Sequence, residues 1–436
     1  MEDVLREAGI GPSRLHRLFS RAESDLDAEK QVAERRSGRE LADLNLYYDI
    51  AVPAGVSIEA LCDALNALPA VELAAPAPLP ERAPADMSPA TPDYQDQQGY
   101  RLGAPLGVGA SEVTAVAGAD GAGVAIVDIE YNWVLDHEDL ELDASANIDS
   151  AALYDPYPQD QGNHGTAVLE ILGGRSNAYG VTGLVPEATL LVAPAMTISH
   201  GYNVARAVNV AVQTLEPGDV ILIEQQSYVC GGSSFGPVEW SSPVFDAIAT
   251  ATALGIAVVE AAGNGAVDLD APECAGWFDR DVRDSGAIIV GAGKPASHTR
   301  LSFSTYGSRV DLQGWGESVA TAGYGALFDP GDVRQRYTAS FSGTSSASPI
   351  VVGAVAAVQG ALLAHGMDPL APAEIRELLV STGTAQPEPD ALAPIGPLPD
   401  IGAALQTLPE PRGLPGLASG CALVALLSRR RAPIRR

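Results

Sequence analysis

Apolar positions fall into two regimes along the chain, scattered before residue 100 and densely periodic after it. Residues 1–43 are charged throughout and predict a helical or disordered leader. Residues 44–79 predict strand, helix, strand. LNLYYDIAV is rich in β-formers, Ser57 stands as N-cap to the amphipathic SIEALCDALNAL, and PAVELAAP is extended again. Pro, Ala and acid dominate 80–99, which predicts an exposed linker, the kind of segment a protease cuts.

From 100 to 407 short apolar runs alternate with helical stretches. GVAIVDI, ATLLVAPAM, DVILIEQQ, GIAVVEAAGN and GAIIVGAG predict buried parallel strands. GTAVLEILGG, NVARAVNVAVQTL, SPVFDAIATATAL and SPIVVGAVAAVQGALLAH predict the helices between them. The expected fold class is α/β, a three-layer sandwich with a mostly parallel central sheet flanked by helices. In such sheets ligands bind beyond the carboxyl ends of the strands, so functional groups are expected there. The tail, 408–436, breaks the pattern with an apolar run from Leu414 to Leu427, Gly420-Cys421 and an arginine cluster. It resembles a bacterial sorting tail and predicts membrane association. The run is shorter than the ~20 apolar residues of a span, which leaves a surface helix as the alternative.

Composition narrows the function. Against 26 Lys plus Arg stand 55 Asp plus Glu, a net charge of −29, and lysine occurs only at Lys30 and Lys294. A surface this acidic repels phosphate backbones and excludes nucleic acid as a partner. Cysteines 62, 230, 274 and 421 are too few for a disulfide scaffold and lack zinc-site spacing. Cys230 and Cys274 read equally as one bridge in an oxidising compartment or as two buried thiols. The first thirty residues hold no apolar run of a signal peptide, which leaves an intracellular protein or a start placed inside a longer gene.

Four polar residues stand at predicted element boundaries. Asp128 ends the strand GVAIVD, His164 and Ser345 each open a helix, and Asn264 follows the strand GIAVVEAAGN. Singly, each reads as a turn or cap residue. Together they supply a nucleophile, its base, a carboxylate to orient that base and an oxyanion donor, which is what amide hydrolysis needs.

The motifs around them resemble the subtilisin-like serine peptidases, the subtilases, over about 100–407. The order Asp, His, Ser is kept, with 164 − 128 = 36 and 345 − 164 = 181 residues between them. His164-Gly165-Thr166 matches the family's HGT motif, Gly343-Thr344-Ser345-Ser346-Ala347-Ser348-Pro349 its GTSxASP motif, and Ala261-Ala262-Gly263-Asn264 its AAGN motif. The resemblance implies Ser345 as nucleophile, His164 as base and Asp128 as its orienting carboxylate. Asn264 and the Ser345 N–H would form the oxyanion hole.

Two places depart from the family pattern. Thr or Ser then Gly usually follows the aspartate, and here Asp128-Ile129-Glu130 stands instead; Glu130 reads as a solvated loop acid, with a substrate contact as the alternative. The substrate strand often ends Ser-Leu-Gly, and here it reads Glu224-Gln225-Gln226. These three residues, Gly201 and Gly263 are the expected substrate-binding positions. The resemblance further implies polypeptide substrates and a zymogen, with 44–79 as a small α+β propeptide-like domain that partners the enzyme. The implied location is extracellular or at the cell surface. No cofactor is required; structural calcium is common in the family, but no ligand loop assembles from this sequence. The rivals are a peptide cyclase or ligase on the same fold and a catalytically inactive binding module.

Overall fold

The computed structural model describes residues 1–53, 55–76, 91–140, 142–387 and 393–408. The chain divides into two units, Met1–Ser88 and Pro89–Arg436. The tail expectation, Cys421 included, lies outside the described residues, as does most of the stretch expected to be cut.

In the first unit α1 (Glu2–Glu7), β1 (Leu15–Arg17), α2 (Glu23–Ser37), β2 (Tyr48–Ile50) and α3 (Ile58–Asn66) follow one another. Ser57 caps α3, its hydroxyl accepting the Ala60 N–H at 3.2 Å. Leu61 and Leu65 of α3 bury against Leu5 and Ile10 from the leader, and β2 pairs antiparallel with β1. The leader is therefore part of this small core, and no boundary falls at residue 44. The extended stretch expected after α3 is not a strand. Its backbone is held by a side chain instead, since Asn66 Nδ2 donates to Ala74 O at 2.9 Å and Asn66 Oδ1 accepts the Ala74 N–H at 2.6 Å.

In the second unit six parallel strands form one sheet in the order β12-β11-β10-β7-β3-β4. In chain order the elements are β3 (Ala125–Glu130), α4 (Asn163–Gly173), β4 (Thr189–Pro194), β5 (Met196–Thr197), β6 (Gly201–Tyr202), α5 (Val204–Val212), β7 (Val220–Ile223), β8 (Gln226–Tyr228), β9 (Phe235–Pro237), α6 (Ser242–Ala253), β10 (Ala257–Ala261), β11 (Ile288–Gly293), β12 (Leu312–Trp315), β13 (Val319–Ala322), β14 (Tyr337–Phe341), α7 (Thr344–Ala364), α8 (Pro372–Thr382) and α9 (Ile401–Thr407). The end of the expected linker belongs to this unit as well. Tyr94 N–H donates to Gly180 O at 2.8 Å, and Gln98 is buried.

Strand periodicity sorts the layers. On β3, Ile126 faces the core shared with α4 and α7, while Val127 and Ile129 face the one shared with α5 and α6. Both faces of the sheet are covered, which is why its strands read as continuous apolar runs. Helix α7 is buried from Thr344 to Leu362, and its all-round apolarity is that of a core helix.

Cys230 and Cys274 form a disulfide, so of the two readings the bridge holds; the free thiol among the described residues is Cys62. The bridge closes a loop of sequence separation 44 that contains α6 and β10. Replacing both cysteines by alanine should lower unfolding stability by ~2–4 kcal/mol in urea, because the unfolded chain regains loop freedom. Wild type with reductant should move the same way. A midpoint that neither change shifts would show that the bridge carries no stability.

Candidate active site

The sheet order creates the site. β3 has β4 on one side and β7 on the other, so chain progression reverses there and leaves a crevice beyond the carboxyl ends of β3 and β7. A cleft of about 580 Å³ opens at this point, and Glu130, His164, Glu224, Asn264 and Ser345 all line it.

Ser345 is the second residue of α7, which starts from Gly343 at φ 113°, a backbone conformation that L side chains rarely adopt. Its N–H therefore belongs to the helix's unpaired first turn, where the dipole favours negative charge. Asn264 follows β10, and its amide orientation is set by the neighbouring helix start. Oδ1 accepts the Thr344 N–H at 2.9 Å and the Thr344 hydroxyl at 3.2 Å, which leaves the Nδ2 end as the donor. The Asn264 backbone N–H is anchored on Gln226 Oε1 at 2.9 Å. Glu224, Gln225 and Gln226 all line the cleft, whereas Gly201 and Gly263 do not. Gly201 sits in the β5–β6 hairpin, and Gly263 N–H donates to Thr344 Oγ1 at 3.3 Å.

His164 stands in the first turn of α4, with its backbone N–H on Asp160 Oδ2 at 2.9 Å and its ring edge-on to Phe341 at 5.5 Å. Its Nδ1 contacts Glu130 Oε1. Asp128, the residue expected at that nitrogen, makes a different bond: the Trp133 indole N–H donates to its Oδ2 at 2.7 Å. Asp128 is fully buried, and its other oxygen has no partner among the described residues. Glu130, read above as a solvated loop acid, is the last residue of β3 and is only 3% exposed. Both carboxylates project from the same face of β3, two residues or ~7 Å apart along the strand. The one nearer the strand's end meets the imidazole.

The Subtilase family model matches residues 119–396, well over half of the chain. This protein is a subtilase. Subtilisin Savinase from Lederbergia lenta is 29% identical over 255 residues, 58% of this chain and 83% of that protein. An alkaline protease from Alkalihalobacillus alcalophilus is also 29% identical over 255 residues, and there the match spans 59% of the relative's length. A solved protease from Pseudoalteromonas arctica superposes with a TM-score of 0.53 at 19% identity, covering 72% of this chain and 98% of that one, a likeness of fold. The three-layer α/β architecture and the serine endopeptidase class expected from the motifs both hold.

The electrostatics of this subtilase's cleft are one-sided. Among the residues lining it are four acids, Glu130, Asp155, Asp160 and Glu224, and neither Lys nor Arg. Burial opposes charge on His164, but Glu130, Glu224 and Asp160 outweigh it and raise the imidazole to about 9. Burial, then the charge of Glu130, pushes the Asp128 carboxyl well above the usual range. Burial likewise lifts Glu224 to about 8, with Glu130 adding to it; its Oε1 accepts the Ser348 hydroxyl. Among the described residues no three His, Cys, Asp or Glu side chains gather as a metal site. Besides Glu130, sequence reasoning missed Tyr131, Tyr157 and Tyr324, which also line the cleft. The alternation Asp128-Ile129-Glu130 on a strand was the available signal for Glu130.

An NMR titration of His164 should give a midpoint near 9, well above the ordinary value of about 6.5. Because the folded value is raised, the associated stabilisation is full below about pH 6.5 and fades as pH climbs through about 9. A midpoint at or below 6.5 would show that the neighbouring carboxylates do not hold the proton.

Proposed function

We propose that this subtilase hydrolyses peptide bonds through an acyl-enzyme on Ser345. The observation that carries the reading is the fixed Asn264 amide, pinned by Thr344 N–H beside the helix start that bears Ser345. Ser345 Oγ attacks the scissile carbonyl while His164 Nε2 takes its proton. The developing oxyanion receives the Ser345 N–H and the Asn264 Nδ2–H, donors already in place before substrate arrives. His164 then protonates the leaving amine, and water, activated by the same imidazole, resolves the acyl-enzyme. The Gln225 and Gln226 walls belong to the groove for the extended peptide, with the Gly201 hairpin as its outer side. A fluorophosphonate probe should label wild type and not Ser345→Ala, and Asn264→Ala should lose ~10²–10³ in kcat. Labelling that persists in Ser345→Ala would reject the nucleophile.

The small first unit, with its α3 and two-stranded core, supports the further reading that the enzyme is made as a zymogen and releases this unit. A disulfide fits an oxidising compartment, hence an extracellular or cell-surface protein, with the tail from 408 as its address. Expressed in a protease-free host, Ser345→Ala should accumulate at full length while wild type shortens. Equal shortening of both would show that the cut is not made by the enzyme itself.

A further inference from the structure

We infer that Glu130, and not Asp128, is the carboxylate that positions His164 for catalysis. The inference rests on the reading of His164 as the base for Ser345.

A histidine base must keep its proton on Nδ1 so that the Nε2 lone pair faces the nucleophile, and an acceptor fixed at Nδ1 does both jobs. Glu130 Oε1 is that acceptor. Its other oxygen, Oε2, accepts the Tyr131 N–H at 3.2 Å and Gln225 Nε2 at 3.5 Å, so the carboxylate is tethered at both ends. Asp128 is committed elsewhere. Its Oδ2 is held by the indole of Trp133, and that indole lies tight against α4 next to His164. A Cβ added at Gly165 would come within 2.5 Å of Trp133 Cδ1. Trp133 thus links the buried aspartate to the start of α4 through packing, while of the two carboxylates it is Glu130 that contacts the ring. The extra methylene and the place at the strand's end are what let Glu130 reach an imidazole on α4. The charged groups that act most strongly on the ring are acidic: Glu130 from β3, Glu224 beyond β7 and Asp160 before α4, with Asp128 behind them.

The two carboxylates therefore have different tasks. Glu130 works as an anion facing an imidazole that becomes imidazolium in the transition state. Asp128, buried beside Glu130 with one oxygen unpartnered, is pushed toward its neutral form, which asparagine imitates in shape and hydrogen bonding.

Glu130→Gln, Glu130→Asp and Asp128→Asn are to be expressed from the full chain, brought to the same processed length as wild type, and compared by steady-state kinetics on a soluble peptide, by the pH profile of kcat/KM and by His164 titration. Glu130→Gln should lose ~10⁴ in kcat with KM changed less than about threefold, the scale set by removing a triad carboxylate elsewhere. Its His164 midpoint should fall from about 9 toward 6.5. Glu130→Asp should recover part of both. Asp128→Asn should keep kcat within about tenfold and leave the midpoint in place, whatever it does to thermal stability. If Asp128→Asn loses as much kcat as Glu130→Gln, or if Glu130→Gln leaves the midpoint unmoved, the assignment is overturned. The titration needs no turnover, so it reads the Glu130 contact even if Ser345 proves not to be the nucleophile.

Discussion

A sheet covered on both faces has few places to put polar chemistry, and this constraint organises the catalytic unit. Between the sheet and its helices an unpartnered polar side chain is costly, so most positions there are apolar. Reactive groups are therefore driven to the carboxyl-terminal rim, where strands end and helices begin. There the reversal of strand order between β3 and β7 opens the crevice, and each adjoining element delivers one group at its terminus. Glu130 ends β3, Glu224 follows β7, Asn264 follows β10, His164 begins α4 and Ser345 begins α7.

The rim differs electrostatically from the rest of the interior. Away from the site, one group of buried acids is answered by guanidinium groups. Arg309 is 1% exposed and meets Asp311 at 2.6 Å and Glu239 at 3.4 Å, while Arg376 and Arg280 reach Asp284 and Asp311. In the cleft the acids have no such counter-ion among the lining residues, and the imidazole is the cation they can create. Leaving that charge unanswered strengthens the bias toward imidazolium, the form a histidine base acquires as it takes a proton. It also raises the basicity of the resting group, so the arrangement favours the charged transition state and, well below about pH 9, withholds most of the enzyme in the protonated form.

Much of this was legible in one dimension because it depends on periodicity and on local motifs. Continuous apolar runs announce a sheet buried on both faces, and GTSSASP and AAGN carry backbone geometry in their glycines. The identity of the residue facing His164 was not legible. Asp128 and Glu130 share a face of β3, and the choice between them turns on Trp133, whose indole reaches Asp128 only through tertiary packing. The helices of the leader were legible, but its strand was not, for a related reason. β1 is three residues long, too short for a periodicity to stand out, and becomes a strand by pairing with β2 across some thirty residues of chain. The failure after α3 had a local cause, a clamp by Asn66 that no β-propensity scale contains.

Helix α7 carries its own consequence. Its residues are enclosed from Thr344 to Leu362, with sheet strands, α4 and α9 in contact with it. Beyond the first turn, which opens on the cleft, its amide protons have no local route to solvent, so they exchange only when the catalytic unit opens as a whole. The nucleophile's N–H sits at the head of that same helix. The nucleophile is thus tied to an element that yields only with its scaffold, and on heating its place in the cleft is lost with the fold and not before it.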